Sequence, residues 1–210
     1  PEATRHGVLV ANTPEVLHES CADFAFGLML SLARNITYGD RQIRAGEWKM
    51  FDQIPYVGTD VHEATLGIIG MGLIGTAVAR RATAFNMKII YNSRTRKPEV
   101  EESLGAEWRP DMDSIFKEAD YVSLHMPLTA DTEYMVSSRE LDLMKPTAFL
   151  INTTRGRTVD PKALYTAVSG GTIAGAAIDV TDPEPIGIDD PLLTLPNVLI
   201  SPHIASASTA

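Results

Sequence analysis

The stretch Leu66-Gly67-Ile68-Ile69-Gly70-Met71-Gly72-Leu73-Ile74-Gly75 joins a short apolar run to a tight glycine turn, and a helix-period segment from Thr76 to Phe85 follows. Strand, turn and helix in that order present free backbone N–H groups and the positive end of a helix dipole to an anion. The glycines have separate expected roles. Gly70 permits the turn, Gly72 lets the backbone approach a pyrophosphate, and Gly75 lets helix and strand pack closely. Leu73 and Ile74 lie inside the same turn and share the phosphate site. The pattern alone is weak. Its flanks strengthen it, because a second apolar strand follows at the spacing of a strand–helix–strand unit. The predicted ligand is a dinucleotide.

Outward from this turn, candidate strands fall at Leu66–Gly70, Lys88–Tyr91, Tyr121–Leu124, Ala148–Asn152, Ala174–Asp179 and Val198–Ser201. Helical patterns separate them and carry start signals, among them the capping box Ser137-Ser138-Arg139-Glu140 and the pair Asp160-Pro161. Strands that are apolar throughout and alternate with helices predict an α/β fold, a doubly wound parallel sheet covered on both faces. Upstream, Gly7 to Ala11 reads as a further strand. Thr13-Pro14 reads as the N-cap and first turn of one long helix reaching Arg44, with apolar faces from Ala22, Phe26, Met29 and Ala33 and from Phe24, Leu28 and Leu32. An arm with Trp48, Phe51 and Tyr56 follows, broken by Gly46, Pro55 and Gly58; it reads either as plain core or, the favoured expectation, as packing on a second subunit in a homodimer.

Ligands of such sheets bind beyond the carboxyl ends of the strands. Polar groups gather there: Asn92-Ser93-Arg94-Thr95-Arg96, His125-Met126-Pro127, Asn152-Thr153-Thr154-Arg155-Gly156, Asp179 through Glu184-Pro185, and Ser201-Pro202-His203. An arginine so placed can grip a carboxylate with two parallel hydrogen bonds. A histidine exchanges a proton near neutral pH, and a neighbouring glutamate holds its ring in orientation. Singly, Arg155 reads as a surface ion-pair residue, Glu184 as a turn residue and His203 as a backbone-bonded histidine; their joint placement favours catalysis.

Composition narrows the field. A net charge of −9 opposes binding to nucleic acid or to an anionic membrane surface. The longest apolar stretch, around Phe24 to Ala33, is too short to span a bilayer. Cys21 is the sole cysteine, which excludes an intrachain disulfide and suits a reducing cytoplasm; it reads as a small core filler. No Cys, His or carboxylate cluster has metal-ligand spacing, so no metal is expected.

With these segments in order, the chain resembles the D-isomer-specific 2-hydroxyacid dehydrogenases, in particular their glyoxylate/hydroxypyruvate reductase branch. The resemblance runs over essentially the whole chain and rests on the glycine turn, Asn152 to Gly156, Asp179-Val180 with Glu184-Pro185, and Pro202-His203. It implies hydride transfer between a nicotinamide cofactor and a small 2-ketoacid or D-2-hydroxyacid. Arg155 would bind the substrate carboxylate and carbonyl oxygen, His203 would be the general acid, and Glu184 would support it. The implied cofactor site adds His125, Met126, Pro127 and Thr132 near the adenine, and Thr153, Thr154, Asp179 and Ala205 toward the nicotinamide. Thr181 stands where the family often has an aromatic, and Ala205 where glycine is common.

Asn92 occupies the place where NAD-specific relatives carry an acidic ribose ligand. With Ser93, Arg94 and Thr95 following, and Arg96 in reserve, the loop favours the 2′-phosphate of NADP; NAD is the alternative. The resemblance also implies a domain plan: residues 1–12 a remnant strand of a substrate domain, 13–205 the nucleotide-binding domain with a helix and arm over 13–64, and 206–210 the start of a returning helix. The chain is thus expected to be a piece of a longer polypeptide, binding cofactor but turning over poorly alone. A different class on the same fold, a nucleotide-sensing corepressor-like binding protein, is the competing reading. A methyltransferase with a similar turn would leave Arg155, Glu184 and His203 unexplained.

Overall fold

The computed structural model describes residues 2–11 and 16–209. Seven parallel strands form one sheet: β1 (Thr65–Ile69), β2 (Lys88–Asn92), β3 (Glu107–Trp108), β4 (Tyr121–Leu124), β5 (Phe149–Asn152), β6 (Gly175–Ile178) and β7 (Val198–Ile200), in the order β3-β2-β1-β4-β5-β6-β7. Strand order reverses between β1 and β4, which pair from Leu66 with Tyr121 to Ile69 with Leu124. That reversal is where a crevice opens in a doubly wound sheet.

The helices are α1 (Glu2–Arg5), α2 (His18–Ala33), α3 (Ile36–Arg44), α4 (Leu73–Thr83), α5 (Pro98–Leu104), α6 (Met112–Glu118), α7 (Ser138–Leu143) and α8 (Pro161–Ser169). Successive strand residues face opposite sides, and each side has its own core. Leu66, Ile68, Ile89, Tyr91, Tyr121 and Ile151 pack with α2 and α4. Ile69, Ile90, Val122, Leu124, Leu150 and Ile178 pack with α6, α7 and α8. Burial on both faces explains why these strands read as unbroken apolar runs.

Several expectations are corrected. Gly7 to Ala11 forms no strand; Val8, Leu9 and Val10 are exposed and no described strand edge lies beside them. The expected Thr13-Pro14 cap lies outside the described residues. The single helix to Arg44 is broken after Ala33, because Asn35 takes a left-handed φ of 54° and its Nδ2 donates to the Val57 carbonyl at 3.0 Å. The helix of the glycine turn starts at Leu73, not Thr76: extended Gly72 is its N-cap, so the last glycine lies within the first turn. The expected returning helix is not formed over 206–209: a turn closes at 204–207, with the Ala207 amide bonded to the Ile204 carbonyl, and 207–209 run on without regular structure. Strand β3 escapes the sequence pattern because two residues carry no periodicity. The capping box at Ser137 and the Asp160 cap of α8 are formed as read.

Candidate active site

The end of β1 is built for close contact. Gly70 has φ 99°, and a Cβ there would lie 2.6 Å from the backbone of His125, just beyond β4. A Cβ on Gly75 would meet the Gly70 carbonyl at 2.2 Å. Gly72 differs, since a Cβ there would meet nothing within 4 Å. Because Gly72 is the N-cap of α4 and has no side chain, the amides of Leu73, Ile74 and Gly75 have no capping group from the protein. Open space above orphan amides fits a bound pyrophosphate. Leu73 is exposed and Ile74 half-buried beside it.

A cleft of about 500 Å³ continues from this turn, lined by Gly70, Gly72, Asn92, Ser93, Arg94, Thr95, His125, Met126, Pro127 and Thr132. It brings together most of the expected adenosine-side residues. Asn92 donates through Nδ2 to the Arg109 carbonyl at 2.8 Å, and Ser93 Oγ donates to the Thr95 carbonyl at 2.6 Å. Arg94 is exposed and has no carboxylate partner among the described residues. Arg96 is a correction. Its guanidinium clamps Glu101 at 2.6–3.1 Å and lies over the Trp108 ring at 5.6 Å, so it is committed away from the cleft. Lys97, Met112, Thr129, Asp131 and Met135 also line the cleft and were missed by sequence reasoning. Lys97 had a signal, as the residue preceding the helix-opening Pro98; the others come from separate loops.

His125 is enclosed at its nitrogens although part of its ring reaches the cleft. Nε2 lies 2.8 Å from Ser123 Oγ, and Nδ1 is buried without a partner. Burial pushes its pKa down to about 4, so the ring is neutral at physiological pH. Thr132 Oγ1 donates to the Pro127 carbonyl at 2.7 Å and accepts from the Thr129 amide at 2.8 Å, fixing the loop that carries Met126 and Pro127.

The catalytic candidates lie on the loops after β5, β6 and β7, and a direct contact joins two of them, Glu184 and His203. Asn152, 1 % exposed, accepts from the amide and hydroxyl of Thr154 and donates to the Arg155 carbonyl, turning the chain so that Arg155 projects outward. The Arg155 side chain donates only to the Thr154 carbonyl, leaving most of its fork available. A Cβ on Gly156 would stand 1.9 Å from the Thr181 carbonyl, so the loop after β6 crosses directly over this glycine. That loop presents Glu184, whose Oε1 lies 2.5 Å from His203 Nδ1. Both side chains stay over 40 % exposed, so the pair is reachable by a substrate.

Asp179 organises the histidine. Its carboxylate accepts from Ser201 Oγ at 2.6 Å and from the amides of Ile204 and Ala205 at 3.0 and 2.7 Å, while its carbonyl accepts the His203 amide at 2.8 Å. His203 is thereby held at φ 55°, a left-handed conformation uncommon outside glycine and asparagine. Thr181 Oγ1 donates to the Pro183 carbonyl at 2.9 Å, and Ala205 is buried. The hollow of about 430 Å³ around Glu184 and His203 is separate from the adenosine cleft; Arg155 and Thr153 line neither. Cys21 on α2 is half-buried, and burial, then the nearby Asp179 charge, raises its thiol pKa away from a reactive thiolate. Among the described residues no helix is long and apolar enough to cross a membrane. Among the described residues no three metal-ligating side chains converge.

Known proteins are similar to this chain in sequence and in fold. The chain is 50 % identical over 208 residues to a glyoxylate reductase of Korarchaeum cryptofilum, covering 99 % of this chain and 62 % of that protein. It is 48 % identical over 211 residues to a glyoxylate reductase of Pyrococcus furiosus, again covering 99 % of this chain and 62 % of the relative. The solved structure of the TT0316 protein from Thermus thermophilus superposes with a TM-score of 0.91 at 44 % identity, over 98 % of this chain and 64 % of that one. The chain therefore spans about 62 % of the length of the curated relatives it matches. Residues 26–205 match the family model for the NAD binding domain of D-isomer specific 2-hydroxyacid dehydrogenases, and the chain belongs to that family.

Proposed function

We propose that the polypeptide carrying this chain is an NADPH-dependent reductase of small 2-ketoacids of the glyoxylate and hydroxypyruvate type, working reversibly as a D-2-hydroxyacid dehydrogenase. The observation that carries this reading is the Glu184–His203 contact at 2.5 Å, held at strand ends of the sheet that also bears the glycine turn. The relatives named above are glyoxylate reductases.

The bound reduced nicotinamide supplies the hydride that the carbonyl carbon accepts. Arg155 grips the substrate carboxylate and polarises the carbonyl oxygen, its exposed fork matching two acceptor oxygens. His203 gives its proton to that oxygen as negative charge develops, and takes it back in the oxidative direction. Glu184 holds the other ring nitrogen, so Nε2 faces the substrate and the cation formed in the oxidative direction is supported. The amides of Leu73, Ile74 and Gly75 would hold the pyrophosphate, with Gly72 leaving room for it. Asn92, Ser93 and Thr95 would take the ribose, with Arg94 and Lys97 toward its 2′-phosphate. His125, Met126, Pro127 and Thr132 would wall the adenine. Thr153, Thr154, Asp179 and Ala205 would complete the nicotinamide end.

The exposed apolar side chains of Trp48, Met50, Phe51 and Ile54 support homodimerisation through the arm. A cytoplasmic location fits a chain with one cysteine. The test is kcat/KM on the complete polypeptide with glyoxylate, hydroxypyruvate and pyruvate, each with NADPH and NADH. The expected result is turnover with NADPH favoured at least tenfold, on the order of one charged hydrogen bond. Equal or better efficiency with NADH overturns the cofactor assignment; cofactor binding without turnover of any ketoacid favours a sensor.

A further inference from the structure

Beside the adenosine cleft lies a set of contacts that the reaction itself does not use. Tyr91, at the end of β2, is fully buried. Its hydroxyl donates to Glu101 Oε1 at 2.8 Å and accepts the Lys97 amide at 2.7 Å. Glu101, on α5, is also the carboxylate that Arg96 clamps, and Arg96 lies over Trp108 of β3. The loop 93–97 is thus fastened by Asn92 to the Arg109 carbonyl at its start and by Tyr91 to the Lys97 amide at its end. Three cations occur in this loop region, and the fastening sorts them. Arg96 is neutralised outside the cleft, whereas Arg94 and Lys97 line it and have no carboxylate partner among the described residues.

We propose that Tyr91 and Glu101 form a positioning brace that sets cofactor specificity, holding the loop 93–97 so that Arg94 and Lys97, and not Arg96, meet the 2′-phosphate. This rests on the NADPH reading given above. The brace is indifferent to the rest of the dinucleotide, because the glycine turn would hold the pyrophosphate and Asn92 is anchored separately to the Arg109 carbonyl. Its titration state supports it. Arg96, and after it Tyr91, hold the Glu101 carboxyl down at about 2, while burial and Glu101 keep the Tyr91 phenol protonated with a pKa pushed up to about 12. The hydroxyl therefore remains a donor to the carboxylate across the whole physiological range.

The test uses the complete polypeptide as wild type, Tyr91→Phe and Tyr121→Phe. Tyr121 is the control: it too is fully buried, and its hydroxyl donates to the Asp60 carbonyl at 3.1 Å, away from the cleft. Fluorescence titration gives Kd for NADPH and NADH, and hydrogen exchange reports the Lys97 amide. For Tyr91→Phe we expect Kd for NADPH to rise about tenfold, with NADH within about twofold, as loss of one positioning hydrogen bond predicts. The Lys97 amide should exchange faster, and kcat at saturating NADPH should not change. Tyr121→Phe should keep the wild-type NADPH-to-NADH ratio. Equal weakening of both cofactors in Tyr91→Phe, or an unchanged ratio with a faster Lys97 amide, overturns the brace while leaving the NADPH reading intact. A wild-type protein that binds NADH as tightly as NADPH refutes that reading, and the brace with it.

Discussion

His203 owes its direction to backbone as much as to Glu184. The left-handed φ of 55° is imposed by the buried Asp179 carboxylate, which collects the two amides that follow the histidine. Spacing in the sequence can bring Asp179, Glu184 and His203 to one sheet end, but it cannot say that Asp179 faces the histidine loop. His203→Ala is expected to lower kcat about a hundred- to ten-thousandfold, the usual worth of a positioned acid, with little change in NADPH affinity; steady-state assays check both. Arg155→Ala should instead raise KM for the ketoacid as well. His125 gives a pH signature of a different kind. Its folded pKa of about 4 lies below the unfolded value near 6.5, so the unfolded chain binds the proton first as pH falls. Stability from keeping this ring neutral is full above pH 6.5 and is lost progressively toward pH 4. Between pH 7 and 4.5, urea unfolding of wild type should lose on the order of 2 kcal/mol more than a His125→Asn variant loses. Equal losses in the two proteins would show that His125 is not the group responsible.

At the scale of elements, the sequence makes legible what repeats. The central strands β1, β4, β5 and β6 are buried on both faces, and Ser137 and Asp160 announce their helices by chemistry local to one turn. Asn35 breaks the long helix through a bond to Val57, a residue 22 positions away, and no helical periodicity records that. Arg96 escapes a reading by sequence because its partners Glu101 and Trp108 belong to α5 and β3, off its own loop, and β3 is too short to leave a pattern. Gly156 shows the coupling between elements most plainly. Its absent side chain lets the Thr181–Pro185 loop cross, so Gly156→Ala must displace the loop that carries Glu184. Overpacking of this kind costs about 1–3 kcal/mol. A thermal scan should show the lower Tm, and kcat should fall more than cofactor affinity does. Unchanged kcat would mean that the loop position does not matter to Glu184.

Over the whole molecule, the chain supplies a rigid nucleotide-binding sheet and, in the arm around Trp48 to Ile54, an apolar surface with nothing described against it. That surface is the basis for the proposed homodimer, and Phe51→Ser with Ile54→Ser should shift the sedimentation coefficient toward monomer; a dimer that survives both would place the contact elsewhere. Since the chain spans about 62 % of its relatives' length, the 210-residue chain alone is expected to bind NADPH while reducing ketoacid far more slowly than the complete polypeptide. Orientation of the reactants and exclusion of water can account for several kcal/mol of a barrier, and closure over an active site is a general way of supplying both. The pairing of Glu184 with His203 and the glycine turn were legible from residue types and order; the contacts around Tyr91 were not, because they join three elements singly. The most direct test of the whole account is NADPH oxidation by the complete polypeptide mixed with glyoxylate, for wild type and His203→Ala side by side. The account predicts rapid oxidation in the wild type and a rate lower by about two orders of magnitude or more in the variant, with NADPH still bound. Binding without oxidation in the wild type, or a variant as fast as the wild type, would contradict it.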